Sequence, residues 1–463
     1  MIRREPVTMA HDSSILSAAR MMREREVSSL LVMQDERLVG LVTDRDLRNR
    51  VVAEGLDPGC SILQIATTSP MVIDVNRPAF DALLLMTRHN IHHVPVIDRQ
   101  CVVGMITSSD LNEHKSNSAV YLASSIYQQD TLGGLQESSA RIKWLQQSLA
   151  AAQASAYSTG QIISAITDAL TIRLLQLGEI KLGPPPVPYA WMAAGSQGRN
   201  EQTAKSDQDN CMVLDDTFDP ALHGEYFRSL ADFVCDGLDA CGYVYCPGEM
   251  MAKTDQWRQP LSRWIQYFQH WIEEPDPQAL MLTCVFFDLR FVHGQQGLVE
   301  QLRASFTARA RLQSIFLAFM VGNALRRKPP LNWLGNIAPI KSGNNRDTID
   351  LKHHGIVPII DLARVYSLAS GSPHVNTRER LLDAASSGEI TEQRVHDLLD
   401  ALEYLSTLRL QHQARRMNDG YAADNLLRLG ELSSLERSHL KETFGIVKSL
   451  QNVLGNRYQA GRF

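Results

Sequence analysis

Two aspartates one residue apart, Asp207 and Asp209, follow the pair Gly195-Ser196 after ten intervening residues, with Arg199 and Glu201 between them. Side chains i and i+2 on a strand project to the same face, so the two carboxylates are expected to point together. Clustered carboxylate oxygens are what Mg²⁺ takes at short range. Two such ions clamp the attacking and leaving oxygens of an in-line displacement, the chemistry of nucleotidyl transfer from a triphosphate. Gly195 would let the backbone approach that triphosphate, Ser196 would offer a hydroxyl and an N–H to its phosphates, and Arg199 would add a planar cation. A third acid is expected from a later strand. Asp288 is the best candidate, being the single acid in the β-rich apolar run 280–292. Burying it alone would cost several kcal/mol, so it should meet a metal or a cation such as Arg290. Metal ligand or general base is favoured over a structural ion pair. The expected catalytic and metal set is therefore Asp207, Asp209 and Asp288, and the nucleotide-binding set is Gly195, Ser196, Arg199 and Lys253. Arg258 is a further candidate for triphosphate or acceptor, while Asp215 and Asp216 read as a solvated turn.

These residues need elements to position them. An apolar strand over 189–194 runs into the Gly-Ser turn, and a second strand starts at the Asp-x-Asp. The Gly-Pro-Pro-Pro-Val-Pro stretch at 183–188 must stop any helix before it, because prolines remove donors and clash with the preceding turn. Between 114 and 182, apolar residues such as Ile142, Leu145, Leu149, Ile162, Ile166 and Leu170 recur at threes and fours and predict helices. Trp257, Trp264 and Trp271 recur every seven residues as a helix-packing stripe. After Arg303 the pattern is mostly helical. Lys341, Lys352, His353 and Arg364 form a basic set there, suited either to a nucleotide or acidic acceptor or to salt bridges.

The N-terminus contains an internal repeat. Residues 27–47 match 91–111 without gaps, pairing Gly40 with Gly104, Thr43 with Thr107 and Asp46 with Asp110 at an offset of 64. The same offset pairs Ala18 with Ala82 and Met22 with Met86. Each copy reads as a helix, a β-branched strand, a turn, a second strand ending at the Thr, and a new helix near the Asp. Thr and Asp at a helix start also serve as ordinary N-caps. The two copies resemble the CBS fold. That resemblance implies that Thr43 and Thr107 face phosphate and that Asp46 and Asp110 hold the ribose of a regulatory AMP, ADP or ATP. His92 and His93 are expected to line the cleft.

The stretch 195–210, G-S-x-G-R-x-E-x-x-x-x-S-D-x-D-N, resembles the nucleotidyltransferase superfamily that includes DNA polymerase beta. Within it, the stretch is most similar to the N-terminal domain of the bifunctional uridylyltransferase that modifies the PII protein. Segment 328–366 resembles the substrate-binding domain that accompanies this transferase type in bacterial CBS-containing proteins. The resemblances imply an α+β multidomain protein: a tandem CBS pair (1–115), a helical linker or bundle (116–182), a polymerase-beta-like mixed-sheet transferase domain (183–300) and a helical substrate-binding domain (301–463). They imply Mg²⁺-dependent transfer of a nucleoside monophosphate from a nucleoside triphosphate to an acceptor hydroxyl, on a protein by analogy with PII. Adenine nucleotides would tune the activity, and CBS modules would pair two chains into a homodimer. No cyclic-nucleotide-binding domain is expected ahead of the pair, and no His-Asp hydrolase is recognisable to reverse the modification.

Composition narrows the classes further. Hydrophobic residues at 44% and charged residues at 21% fit a globular protein. A net charge of −5 gives no general affinity for nucleic acid, which disfavours a polymerase or tRNA-modifying enzyme. No apolar run is long enough for a spanning helix, and no signal-peptide core follows Met1. Seven scattered cysteines without a C-x-x-C pair read as reduced thiols of a cytoplasmic protein. Cys235, Cys241 and Cys246 fit no common zinc spacing and read as buried small hydrophobes. The alternative to an enzyme is a non-catalytic adenine-nucleotide sensor.

Overall fold

The 64-residue offset between the repeats persists in the computed structural model down to its irregularities. Residues 6–459 are described, apart from 36, 76, 78, 100, 109–118, 205 and 341–345. The chain divides into two units, Met1–Ser125 and Ile126–Phe463.

The first unit begins with β1 (Thr8–Ala10), α1 (Ile15–Glu24), β2 (Ser29–Gln34), β3 (Arg37–Thr43) and β4 (Thr67–Thr68). β1 runs parallel to β2, and β2, β3 and β4 are antiparallel. The second repeat supplies β5 (Ile73–Asp74), α2 (Ala79–His89), β6 (His93–Asp98) and β7 (Cys101–Thr107) in a separate sheet. Ser29 faces Thr43 and His93 faces Thr107, and the register breaks at Val32/Met33 and again at Val96/Ile97. A bulge repeated at the same offset shows that the copies share one backbone path. Ser14 caps α1 through the Ser17 N–H, and the helix buries Ile15, Ala18 and Met22. Ala82 and Met86 are buried in the second copy as Ala18 and Met22 are in the first.

The second unit opens with α3 (Leu132–Ala151) and α4 (Ala156–Leu182). Buried residues run around most of the α4 circumference, as expected of a helix enclosed by others. Its N-terminus is capped by the Glu403 carboxylate, which accepts from the Ala156 and Tyr157 N–H groups at 2.6 and 3.1 Å. Next come β8 (Tyr189–Ala193), the single turn α5 (Gly195–Gly198), β9 (Asn210–Leu214), α6 (Pro220–Ala240), β10 (Arg258–Pro260), α7 (Leu261–Glu273), α8 (Pro277–Phe286) and β11 (Arg290–Gly294). The sheet order is β10-β9-β8-β11, with β10 and β9 parallel and the other pairs antiparallel. The tryptophan stripe packs as expected, although Trp257 lies in the turn before α7 rather than on it. Trp264 Nε1 donates to the Met212 carbonyl at 3.0 Å and fastens α7 to β9.

The apolar run 280–292 is not one strand. Asp276 caps α8 through the Ala279 N–H and Pro277 occupies its first turn. This start signal overrides the β character of the residues that follow. Asp288 consequently lies in the turn between α8 and β11.

The remainder is helical: α9 (Gln296–Leu312), α10 (Ser314–Ala324), a small antiparallel pair β12 (Thr348–Asp350) and β13 (Leu426–Arg428), and α11 (Val357–Ser370), α12 (Thr377–Ser386), α13 (Glu392–Asn418) and α14 (Ser434–Arg457). Among the described residues, no helix is long and apolar enough to cross a membrane.

Candidate active site

β8 and β9 are the two inner strands, and every residue of both is buried. Just beyond β8, the Ala194 N–H donates to the Asp209 carbonyl at 2.9 Å, which holds the Gly-Ser turn beside the acidic pair. Gly195 has φ +54°, and a Cβ there would collide with Asp209 Oδ2. The glycine thus makes room for the Asp209 carboxylate.

Residues 208–210 run alongside a loop of the same unit, with Gln208 N–H donating to the Val244 carbonyl at 3.0 Å and Asn210 N–H to the Met250 carbonyl at 3.1 Å. This brings Cys246 to the acids. One oxygen each of Asp207 and Asp209 and the Cys246 Sγ lie within 4.8 Å of one another. Burial, and then the charge of Asp207, push Asp209 up to about 6, while the Cys246 hydrogen bond, Lys352 and Arg199 act in the other direction. Burial, and then Asp209, push the Cys246 thiol up to about 12. At neutral pH it is a protonated donor to Asp209.

The cations come from the helical C-terminal part. Lys352 follows β12 in a helical turn, and Arg409 lies on α13. Burial, and then the charge of Arg409, lower Lys352, against the pull of Asp207 and Asp209. Burial brings Arg409 down to about 10, with Asp350 and Asp207 opposing. Both line a cavity of about 100 Å³ together with Ser196, Arg199, Gln202 and Ser206. Asp207 and Asp209 do not line this cavity themselves, but their charges act on its desolvated cations, an arrangement that suits a polyanion bridged by a divalent ion.

Asp288 does not join this group. Its carboxylate is completely buried and receives Arg199 Nη1 at 2.5 Å, Arg364 Nη2 at 2.6 Å and Arg380 Nη1 at 2.6 Å. Arg364 Nε adds a fourth bond at 3.1 Å. Burial alone would raise its pKa, but Arg364, Arg380 and Arg199 together hold it far below the usual carboxylate range. With its oxygens spent on three guanidinium groups, Asp288 is a structural ion-pair centre, and the expected role as metal ligand or base is corrected. The partners are arginines of α11 and α12 and Arg199, not Arg290 as expected; Arg290 instead pairs with Asp168 at 2.9 Å. Lys253, expected to bind nucleotide, does not line the cavity either. It pairs with Asp236 at 2.5 Å and Asp232 at 3.8 Å and lies over the Tyr245 ring, on the α6 side rather than in the cavity wall.

Other expected residues divide similarly. Arg199 lines the cavity, but its guanidinium is tied to Glu201 at 2.8 Å and to Asp288, so most of its charge is already matched. Arg364 is consumed by Asp288 and Asp361, His353 by Asp350, and Arg258 by Asp255 and the Ala252 carbonyl. Lys341 lies outside the described residues. Arg409, Arg380 and Cys246 carry no local motif, and among the described residues no sequence spacing marks them as partners of the acids.

In the first unit, a cleft of about 980 Å³ is lined by Thr43, Asp46, Thr107, His92 and His93. Thr43 and Asp46 form a capping box, with Thr43 N–H and Oγ1 both donating to Asp46 Oδ2 at 2.9 and 2.7 Å. The same two residues therefore serve as the N-cap and as part of the cleft wall. Asp110 lies outside the described residues.

Residues 140–278 match the family described as "Putative nucleotidyltransferase DUF294", and residues 314–458 match the "Putative nucleotidyltransferase substrate binding domain". Residues 1–53 and 62–117 match the CBS domain. Hypoxic response protein 1 of Mycobacterium tuberculosis is 33% identical over 109 residues, which span 23% of this chain and 76% of that protein. CBS domain-containing protein YhcV of Bacillus subtilis is 30% identical over 114 residues, 24% of this chain and 81% of that one. A solved CBS domain protein from Pyrobaculum aerophilum complexed with AMP is 28% identical over 25% of this chain and 89% of its own, with a TM-score of 0.24.

Proposed function

The chain belongs to the CBS-domain proteins and carries a DUF294 nucleotidyltransferase domain with its substrate-binding domain, and on that premise we propose that it transfers a nucleoside monophosphate from a nucleoside triphosphate to an acceptor hydroxyl. The observation that carries this reading is the convergence of Asp207 and Asp209, whose charges act on Lys352, and that of Asp207 also on Arg409, two cations in the wall of a cavity that Ser196 and Ser206 line as well.

The residues present fit Mg²⁺. Two hard carboxylates converge, burial and then the charge of Asp207 raise Asp209, and the missing Cβ of Gly195 leaves space for its carboxylate. Asp207 and Asp209 would hold the ion, and the Cys246 thiol would orient Asp209 by donating to it. When bound, Mg²⁺ supplies charge neutralisation and alignment of the phosphoryl oxygens. Lys352 and Arg409 neutralise triphosphate charge from the cavity wall, in a site where low polarity strengthens each interaction. Ser196 offers its hydroxyl in the same cavity. The acceptor hydroxyl belongs to a protein in this reading. Adenine nucleotide in the Thr43/Thr107 cleft tunes the reaction, and the CBS pair assembles a homodimer.

A second reading is favoured by the sequestration of Asp288, which removes the third carboxylate from the metal: a nucleotide-binding sensor that transfers nothing. Incubating wild type and Asp207→Ala/Asp209→Ala with each α-labelled nucleoside triphosphate in cell extract separates the two. Transfer predicts covalent label with wild type and background with the variant. Equal labelling by both proteins would remove the assignment, and binding without label in either would leave the sensor.

A further inference from the structure

The side chain of Gln202 is 1% exposed, and among the described residues neither its Oε1 nor its Nε2 has a hydrogen-bond partner. Buried amides are nearly always bonded, so one with both ends open marks a place where something else completes the bonding. Gln202 lines the same cavity as Lys352 and Arg409, whose other walls include Tyr157, Ile356, Ile360 and Leu410.

The segment around Gln202 is anchored by hydrogen bonds. Its N–H donates to Ser164 Oγ at 3.3 Å, Glu201 accepts the Thr377 N–H at 2.9 Å, and the Arg199 carbonyl accepts Asn376 Nδ2 at 2.8 Å. On the other side α4 presses close, since a Cβ on Gly160 would lie 3.0 Å from the Asn200 carbonyl. The open amide therefore belongs to an anchored segment.

The cavity combines cations, apolar walls and one amide offering a donor and an acceptor side by side. The complementary ligand is a planar heterocycle whose edge carries an adjacent acceptor and donor and which is joined to a polyanion. A carboxamide reads such an edge through two parallel hydrogen bonds. We propose that Gln202 reads the base edge of the nucleoside triphosphate and sets which base the site accepts. This rests on the nucleotidyltransferase reading above and names the residue that would give it specificity.

The test uses the full chain with Mg²⁺, titrated calorimetrically with the four nucleoside triphosphates and with inorganic tripolyphosphate, alongside thermal melts without ligand. In Gln202→Leu, affinity for the preferred nucleotide should fall about tenfold and the ranking of the four bases should flatten, because the bidentate contact is lost. Tripolyphosphate affinity should stay the same, and the ligand-free melting temperature should rise because the unpaired amide is gone. Gln202→Glu, which replaces the donor with an acceptor, should reorder the bases and covers the case in which the leucine variant does not fold. Unchanged ranking in both variants, or in whichever folds, would show that the amide holds only water and would overturn the proposal. Wild type that binds tripolyphosphate without preferring any base would overturn it too. Wild type that binds neither probe would instead sink the transferase reading itself.

Discussion

Asp288 and the Asp207–Asp209 pair sit in the same unit, yet their charge is balanced in opposite ways. Around Asp288, the guanidinium groups of Arg199, Arg364 and Arg380 meet the carboxylates of Asp288, Glu201 and Asp361, three against three. The network is closed around Asp288, and only Arg199 and Glu201 among its members also line the cavity. The acidic pair is open: its carboxylates crowd each other and Cys246, and the cations that feel them lie at a cavity wall. A buried acid is therefore evidence of chemistry when its neutralisation is incomplete, and evidence of architecture when it is complete.

Removing Asp288 should have the largest effect. Asp288→Asn leaves three buried arginines without their common counter-charge and should cost about 3–5 kcal/mol, the range for breaking a buried ion pair from one side. Denaturant unfolding followed by tryptophan fluorescence would read it, and a loss below about 1 kcal/mol would show that the cage is not structural. Because the arginines hold the folded carboxyl below its unfolded value of about 3.9, its contribution is present above that pH and lost as pH falls below it. The asparagine variant should accordingly be less acid-sensitive between about pH 4 and 2 than wild type.

The open pair should behave in the reverse sense. Asp207→Asn/Asp209→Asn should melt no lower than wild type in metal-free buffer, since it relieves like-charge repulsion. Millimolar Mg²⁺ should stabilise wild type by about 1–3 kcal/mol at ten to a hundred times its dissociation constant and leave the variant unmoved. An equal Mg²⁺ shift in both proteins would show that the ion binds elsewhere.

The smallest effect is expected at Lys253. Its surface pairs with Asp232 and Asp236 predict that Lys253→Ala changes stability by less than about 1 kcal/mol. Nucleotide affinity should not change, and a tenfold loss would return Lys253 to the triphosphate site.

The repeat shows what was legible in the residues alone. An ungapped match carrying Gly40/Gly104 and Thr43/Thr107 produced two hairpins of identical register, bulge included, because strand pairing there is local and depends on nearby residues. Asp207 and Asp209 also converge as expected, although β9 starts only at Asn210 and both acids lie just before it rather than on the strand. The error at Asp288 arose where a helix cap at Asp276 competed with β-forming residues, and where the partners lay 76 and 92 residues downstream.

Local periodicity and motif spacing thus determined the duplicated N-terminal module, the Gly-Ser turn and the acidic pair, since each depends on residues close in the chain. The tertiary structure alone decided which acid was neutralised and which stayed open, because that depends on where α11, α12 and α13 place Arg364, Arg380 and Arg409. Burial turns those placements into charge balance, and no spacing within a strand or turn encodes it.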